Sequence, residues 1–355
     1  MEGNHVRELY PNQMKRLRHM PKFSSTITEL QAYRTLLKGP KGSGKLSNIS
    51  ISWDEVPKFF MSPEKQRTLR DEHGKLESIH YTYMQNGVEF QVQMIPATIK
   101  NPKNPEVDYH AFPSSSEQML EEVMKQLLLE DNMSSIETDV EYRQHTYVRF
   151  TMQMLKDRLV KLGSTRSHGE IKRSLEILLR TRLVINSKDE KVCEHSLLSD
   201  IQLENFSFIK PIKRITKNCF YNVCLPAMLT EDILSANYRQ FNVTLFSKIR
   251  SQLARDIYKQ LVVNYRNANE DNAYSLTTEY VANTGNINDL PRSKGRDRIK
   301  NALNELKSDE INIIQEYDLP DIHSDTYVIT PSKSFITAQI AANKQGQLIK
   351  FSSTE

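Results

Sequence analysis

The residues Gly39–Ser47 read GPKGSGKLS and raise a question of phosphate chemistry. A phosphate-binding loop has the form G-x-x-x-x-G-K-[ST]: loop amides and a helix N-terminus hold the phosphates, and the Ser or Thr hydroxyl holds magnesium. Gly39, Gly44 and Lys45 fit that form, but Leu46 replaces the hydroxyl and Ser47 comes one place late. The surrounding elements are also in the wrong order. Thr26–Lys38 places Ile27, Leu30, Tyr33 and Leu37 at helical spacing ahead of the glycines, whereas LSNISISW, with Leu46, Ile49, Ile51 and Trp53, reads as a strand after them. The stretch is therefore expected to be a basic turn able to touch a DNA phosphate, and no nucleotide or other cofactor is expected.

Two other groups of residues could do chemistry on a polyanion. Arg292, Ser293, Lys294, Arg296, Arg298 and Lys300 crowd one short segment, and Arg166, Ser167, His168, Lys172 and Arg173 crowd another. Arg can hold guanine O6 and N7 with two hydrogen bonds, while Lys and Ser more often fix a protein on phosphates. Lys156, Arg158 and Lys161 lie just ahead of the first group. The net charge is only +4, so these are basic islands rather than a uniformly basic chain. A further basic run spans Tyr10–Lys45, and Glu117–Glu141 is mostly acidic. No catalytic constellation accompanies them. The nine histidines are scattered without ligand spacing on a helix face, so neither a metal site nor an enzyme is expected. Cys193, Cys219 and Cys224 show no pairing pattern, which suits a reducing, cytoplasmic setting. No apolar run reaches the ~18 residues of a membrane span.

The elements that would position these residues come in duplicate. Ile171, Lys172, Leu175, Leu178, Leu183 and Ile185 recur as Ile299, Lys300, Leu303, Leu306, Ile311 and Ile313. Arg166-Ser167-His168-Gly169 precedes the first copy and Arg292-Ser293-Lys294-Gly295 the second, and upstream VMKQLLL (Val123–Leu129) answers IYKQLVV (Ile257–Val263). Apolar residues at i, i+4 and i+7 form one helix face, and the alternation after them reads as a strand. Each copy is then a helix, an intervening segment, a basic helix and a strand, and in copy two Thr326–Ile329 completes a hairpin. This is the order of a winged helix, whose third helix can enter a major groove. The wing of copy two is acidic (Glu316, Asp318, Asp321, Asp325), so its tip is not expected to hug a DNA backbone.

The expected architecture is α+β: tandem winged-helix domains over 116–235 and 236–340, a smaller α+β domain over 1–115 and a tail over 341–355. In the first domain Glu77–Met84 and Gly87–Ile95 read as a hairpin about Asn86-Gly87, and Asn101–Ser116 as a linker.

At these residues the chain resembles the iteron-binding replication initiators of bacterial plasmids, which carry two winged-helix domains related by duplication. The resemblance spans Glu117–Phe335, and the second unit is also similar to the corresponding part of broad-host-range plasmid initiators. Tyr221–Leu261 resembles the family's junction: a last strand, a short helix, a bend, then the long first helix of the second domain. It implies binding of double-stranded DNA at tandem direct repeats of an origin, melting of a neighbouring A·T-rich segment, and recruitment of the host initiator and helicase. It also implies homodimers that cannot initiate and that repress their own gene. A winged-helix transcriptional regulator would use the same residues and would differ only in the events after binding.

Overall fold

The repeated apolar residues form two buried helix faces. The computed structural model describes residues 45–85, 87–101, 104, 106–130, 133–138, 144–187, 202–203, 208–209, 220–279, 281, 291–318 and 325–352. The fold is α+β. In its first half, strand β1 (Leu46–Ser50), the short helices α1 (Ile51–Glu55) and α2 (Pro63–Thr68), and strands β2 (Ile79–Gln85), β3 (Val88–Ile95), β4 (Ala97–Lys100) and β5 (Asp108–Ala111) precede helix α3 (Ser115–Leu127). Next in order are β6 (Ser134–Thr138), β7 (Gln144–Thr151), α4 (Met152–Lys161), α5 (His168–Arg180), β8 (Arg182–Ser187), β9 (Gln202–Leu203), β10 (Phe208–Ile209) and β11 (Phe220–Cys224). The second half holds α6 (Ala227–Leu234), β12 (Tyr238–Asn242), α7 (Val243–Lys248), α8 (Gln252–Asn264), β13 (Tyr274–Thr277), α9 (Arg292–Lys307), β14 (Ile314–Asp318), β15 (Thr326–Pro331) and α10 (Lys333–Ser352).

Helices α3, α4 and α5 pack on one another, as α8 and α9 do in the second half. The duplicated positions occupy equivalent places: Ile171, Leu175 and Leu178 of α5 are buried, and so are Ile299, Leu303 and Leu306 of α9. Burying such side chains is worth about 1.5–3 kcal/mol each. In the second half the sheet order is β13-β15-β14, so α9 is followed by a hairpin whose return strand also pairs with β13. The first half is more elaborate. Strand β8 joins β3, and β11 joins β7, giving two four-stranded sheets, β2-β3-β8-β9 and β10-β11-β7-β6.

Several expectations need correction. Only Leu46–Ser50 of LSNISISW is a strand, and Ile51–Glu55 turns into helix α1. Ile311–Ile313 is not a strand: Asn312 adopts a left-handed backbone (φ 46°), and the hairpin begins at Ile314. Asn101–Ser116 is not simply a linker, since it contains β5, paired with β4, and the start of α3. The hairpin about Asn86-Gly87 forms as expected, with Gln85 opposite Val88 and Gly87 at φ 80°.

The segment after the GPKGSGK motif enters a strand, and Lys45 accepts hydrogen bonds at its carbonyl from Val243 and Thr244 amides (2.9 and 3.4 Å). Glycines 39–44 and the expected helix Thr26–Lys38 lie outside the described residues, as do Cys193 and Cys219. Two sheets cross the boundary drawn at 115: β1 pairs with β12, and β3 with β8. Helix α10 runs through the boundary drawn at 340 and packs on β12.

The junction between the halves carries a buried charge cluster. Lys125 of α3 and Lys259 of α8, the lysines of the repeated KQL, both reach Asp54 of α1 at 2.7 Å. Lys259 also donates to Glu122 at 2.5 Å, and Glu121 accepts a bond from the Trp53 indole at 2.6 Å. Lys58 lies over the Trp53 ring, 4.1 Å from its centre. Burial alone would raise the Asp54 carboxyl, but the ammonium groups of Lys125, Lys259 and Lys58 outweigh it and hold it well below the usual range. Burial likewise opposes the Lys125 charge, and Asp54, Glu122 and Glu121 outweigh that too. Asp54, Glu121 and Glu122 are close enough to hold a metal, but the two ammonium groups stand among them instead. The acidic start of the Glu117–Glu141 run is thus interior: Glu117, Glu121 and Glu122 are all buried.

Candidate nucleic-acid interface

Helix α9 is held by its apolar stripe, Ile299, Ala302, Leu303 and Leu306, and Gly295 is buried one turn earlier. The rest of its circumference faces outward. Ser293, Lys294, Arg298 and Lys300 are exposed, and so is Arg292 at the first helical position. At about 100° per residue, Lys294 and Arg298 share one flank, while Arg292 and Arg296 share the other, towards β15. Pro291 caps the helix with no side-chain acceptor. An anion there would meet both the amides of the first turn and the basic side chains.

On the β15 flank, one carboxylate oxygen of Asp325 accepts from Arg292 (2.6 Å) and from Arg296 (3.2 Å). These bonds hold the Asp325 carboxyl below its ordinary value. Further along the outer face, the Tyr317 hydroxyl of β14 donates to Asn304 at 2.6 Å.

Helix α5 begins differently. Ser167 caps it, accepting from the Glu170 amide at 3.2 Å, and Glu170 accepts in return from the Ser167 amide at 2.7 Å. This reciprocal box satisfies the helix start internally and places a carboxylate there. His168 and Lys172 are exposed. Arg166 is not directed outward: it donates to the Ser116 carbonyl of α3 (3.1 Å) and to Ser164 (3.2 Å). Arg173 lies over the ring of Tyr109 on β5, 4.9 Å from its centre, and Arg70 lies over the same ring at 4.1 Å.

A second apolar contact covers the far side of α5, where Ile177 packs with Ala97, Ile99 and Ala111 of the β4–β5 hairpin. On the preceding helix, Arg158 pairs with Glu130, while Lys161 is exposed.

The structure thus brings Arg292, Ser293, Lys294, Arg296, Arg298 and Lys300 together on one exposed helix. It leaves His168 and Lys172 exposed near the capped start of α5, engages Ser167 in that cap, and turns Arg166 and Arg173 to neighbouring elements. The RSHG and RSKG motifs are not spatial equivalents. In the shared apolar frame Arg166 corresponds to Lys294, two residues off the motif alignment: Arg166 precedes the Ser167 cap of α5, whereas Arg292 is the first residue of α9. Sequence reasoning missed the Asp325 pairs, although the acidic wing flagged that residue. It also missed Tyr109, which gives no signal beyond the short alternation of Asp108–Ala111. Among the described residues no helix is long and apolar enough to cross a membrane.

No family model and no curated protein matches the chain. Among the solved structures similar to it are two of RctB domains. A crystal structure of RctB domains 2-3 (RctB-155-483) shares 9% identity at a TM-score of 0.39, covering 78% of this chain and 98% of that one. A selenomethionine form of domains 2 and 3 of RctB shares 8% identity at a TM-score of 0.43, covering 80% and 98%. At these scores the likeness carries no argument for function.

Proposed function

We propose that this chain is a sequence-specific double-stranded DNA-binding replication initiator built on two winged-helix units, with α9 as its principal reading helix. The observation that carries the reading is the duplicated apolar frame. It presents basic residues from the first half of a helix twice in one chain, richly on α9 and sparingly on α5.

In each unit the reading helix comes after the packed first helix and precedes a hairpin. N-terminal residues of such a helix are the ones that meet base edges. Arg298 and Arg296 suit guanine, whereas Lys294, Lys300, Lys172 and Ser293 suit phosphates. Two non-identical units in one chain suit an asymmetric repeat read in tandem, which supports binding to direct repeats at an origin. Origin opening and recruitment of host replication proteins would build on such a platform without catalysis by the chain itself.

The test is an electrophoretic mobility assay of the full chain on DNA flanking its own gene, against scrambled DNA, at two salt concentrations. A ladder of discrete complexes on direct repeats that survives the higher salt is expected. Equal, salt-sensitive binding to both DNAs would reduce the chain to a non-specific polyanion binder. Binding confined to an inverted repeat at a promoter, with no origin activity, would make it a regulator instead.

A further inference from the structure

We propose that Asp325, outside the reading helix, is a specificity-determining positioning residue: it aims the guanidinium of Arg296, and secondarily that of Arg292, at the DNA bases. The proposal rests on the reading of α9 as the principal DNA-reading helix. The geometry is that of a platform. Asp325 immediately precedes β15, and its carbonyl accepts the Thr278 amide at 2.6 Å, next to the paired Thr277 and Thr326. The carboxylate therefore stands on the sheet rather than on the wing tip. One of its oxygens takes both guanidinium groups, which leave α9 one turn apart.

Arg296 is only 25% exposed while Arg292 is 61% exposed, so the first is confined and the second is the looser partner. A long Arg side chain free in water must lose rotamer freedom when it forks onto a base. A carboxylate that already holds it removes much of that loss and fixes the plane of the fork. Asp325 also carries a negative charge beside the polyanion site, which opposes binding to any DNA. The two effects together raise discrimination more than affinity, so the residue would trade general DNA affinity for sequence preference.

The experiment is binding-site selection from a random duplex library with the full chain, and then measured affinities for the selected site and for random DNA. Wild type, Asp325→Ala, Asp325→Asn and Arg296→Lys are compared. Expected for Asp325→Ala is loss of preference at one base position and a fall of about tenfold in the ratio of selected-site to random-DNA affinity. Its affinity for random DNA should stay level or rise. Asp325→Asn, which keeps one acceptor, should restore part of the preference. Arg296→Lys should lose preference at the same base position, because it keeps the charge and loses the fork. Equal gains on both DNAs with an unchanged preference would overturn the proposal and leave Asp325 a repelling charge only. If Asp325→Ala does not fold, Arg296→Lys decides: an unchanged preference in that variant overturns the proposal. A wild-type chain that selects no sequence would sink the reading of α9 itself, and this proposal with it. Selection by wild type that survives unchanged in the variants sinks the proposal alone.

Discussion

Helices α5 and α9 share a buried frame and the exposed Lys172 and Lys300, and differ in most of what lies outside it. Ile171, Leu175 and Leu178 hold α5 as Ile299, Leu303 and Leu306 hold α9. Beyond that stripe, α5 is covered on a second side by the β4–β5 hairpin, its Arg173 stacks on Tyr109, and its start is closed by the Ser167–Glu170 box. Helix α9 has an open start, and its flanks carry arginines and lysines. Duplication preserves what packs, because a core tolerates few shapes. The outer face is constrained only by what it meets. In the proposed function this difference gives reading to α9 and phosphate positioning to the first turns of α5.

The largest effect tests the shared frame. Leu303→Asp and Leu175→Asp each put a charge into an apolar interior, and each should leave its unit unfolded at room temperature. Chemical denaturation monitored by circular dichroism checks this. Normal stability in one variant would mean that the two helices are not in equivalent registers.

Next comes the junction on which both helices depend. Asp54→Ala leaves the buried ammonium groups of Lys58, Lys125 and Lys259 with only Glu121 and Glu122 to balance them, and should cost about 3–5 kcal/mol. The single Trp53, bonded to Glu121 in the same cluster, reports the transition by fluorescence. A loss under about 1 kcal/mol would show that the cluster does not tie the two halves together.

On the reading face, Arg298→Ala should weaken specific binding by about 1–3 kcal/mol while changing random-DNA binding far less. On α5, Lys172→Ala should weaken binding to all DNA about equally and lower the salt slope by roughly 1. Fluorescence anisotropy over a salt series separates the two. The reverse pattern would exchange the roles of the helices.

The last expected effect is on pH. Burial raises the carboxyls of Asp256 and Glu55 to about 7 and of Asp232 to about 6. A raised carboxyl binds its proton more tightly in the folded chain, so its contribution to stability is full below its unfolded value. It is lost as pH rises through 6–7. Asp54 acts in the opposite sense, since its contribution is present above its unfolded value and is lost in strong acid. Stability should therefore decline from about pH 5 towards 7 and then level off, as read from thermal midpoints, and decline less in Asp256→Asn. A rise over that range would mean that these carboxyls are not held protonated.

The comparison also shows what the amino-acid order could reveal. The frame of α5 and α9 was legible because helical spacing is local, and the β2–β3 hairpin was legible because Asn-Gly demands a turn. Strand β15 was visible for the same kind of reason. The burial of Glu121 and Glu122 was not legible, because Trp53 and Lys259, which donate to them, come from elements far away in sequence. Glu122 and Lys259, which are in contact, are 137 residues apart. Strands β4 and β5 were hidden by their four-residue length and by the Pro and Asn residues between and beside them. Strand β12 escaped for a different reason: it exists through pairing with β1, at the start of the described residues. Of the candidate interface, the basic residues were visible and their directions were not. Arg166 and Arg173 are basic residues that packing turned inward.

The most direct test of the central claim is the affinity of the full chain for its selected site and for random DNA, measured for wild type, Arg298→Ala and Lys172→Ala over one salt series. The account predicts that Arg298→Ala loses discrimination, while Lys172→Ala keeps discrimination and loses affinity uniformly. Equal loss on both DNAs in Arg298→Ala, or no preference in wild type, would contradict it.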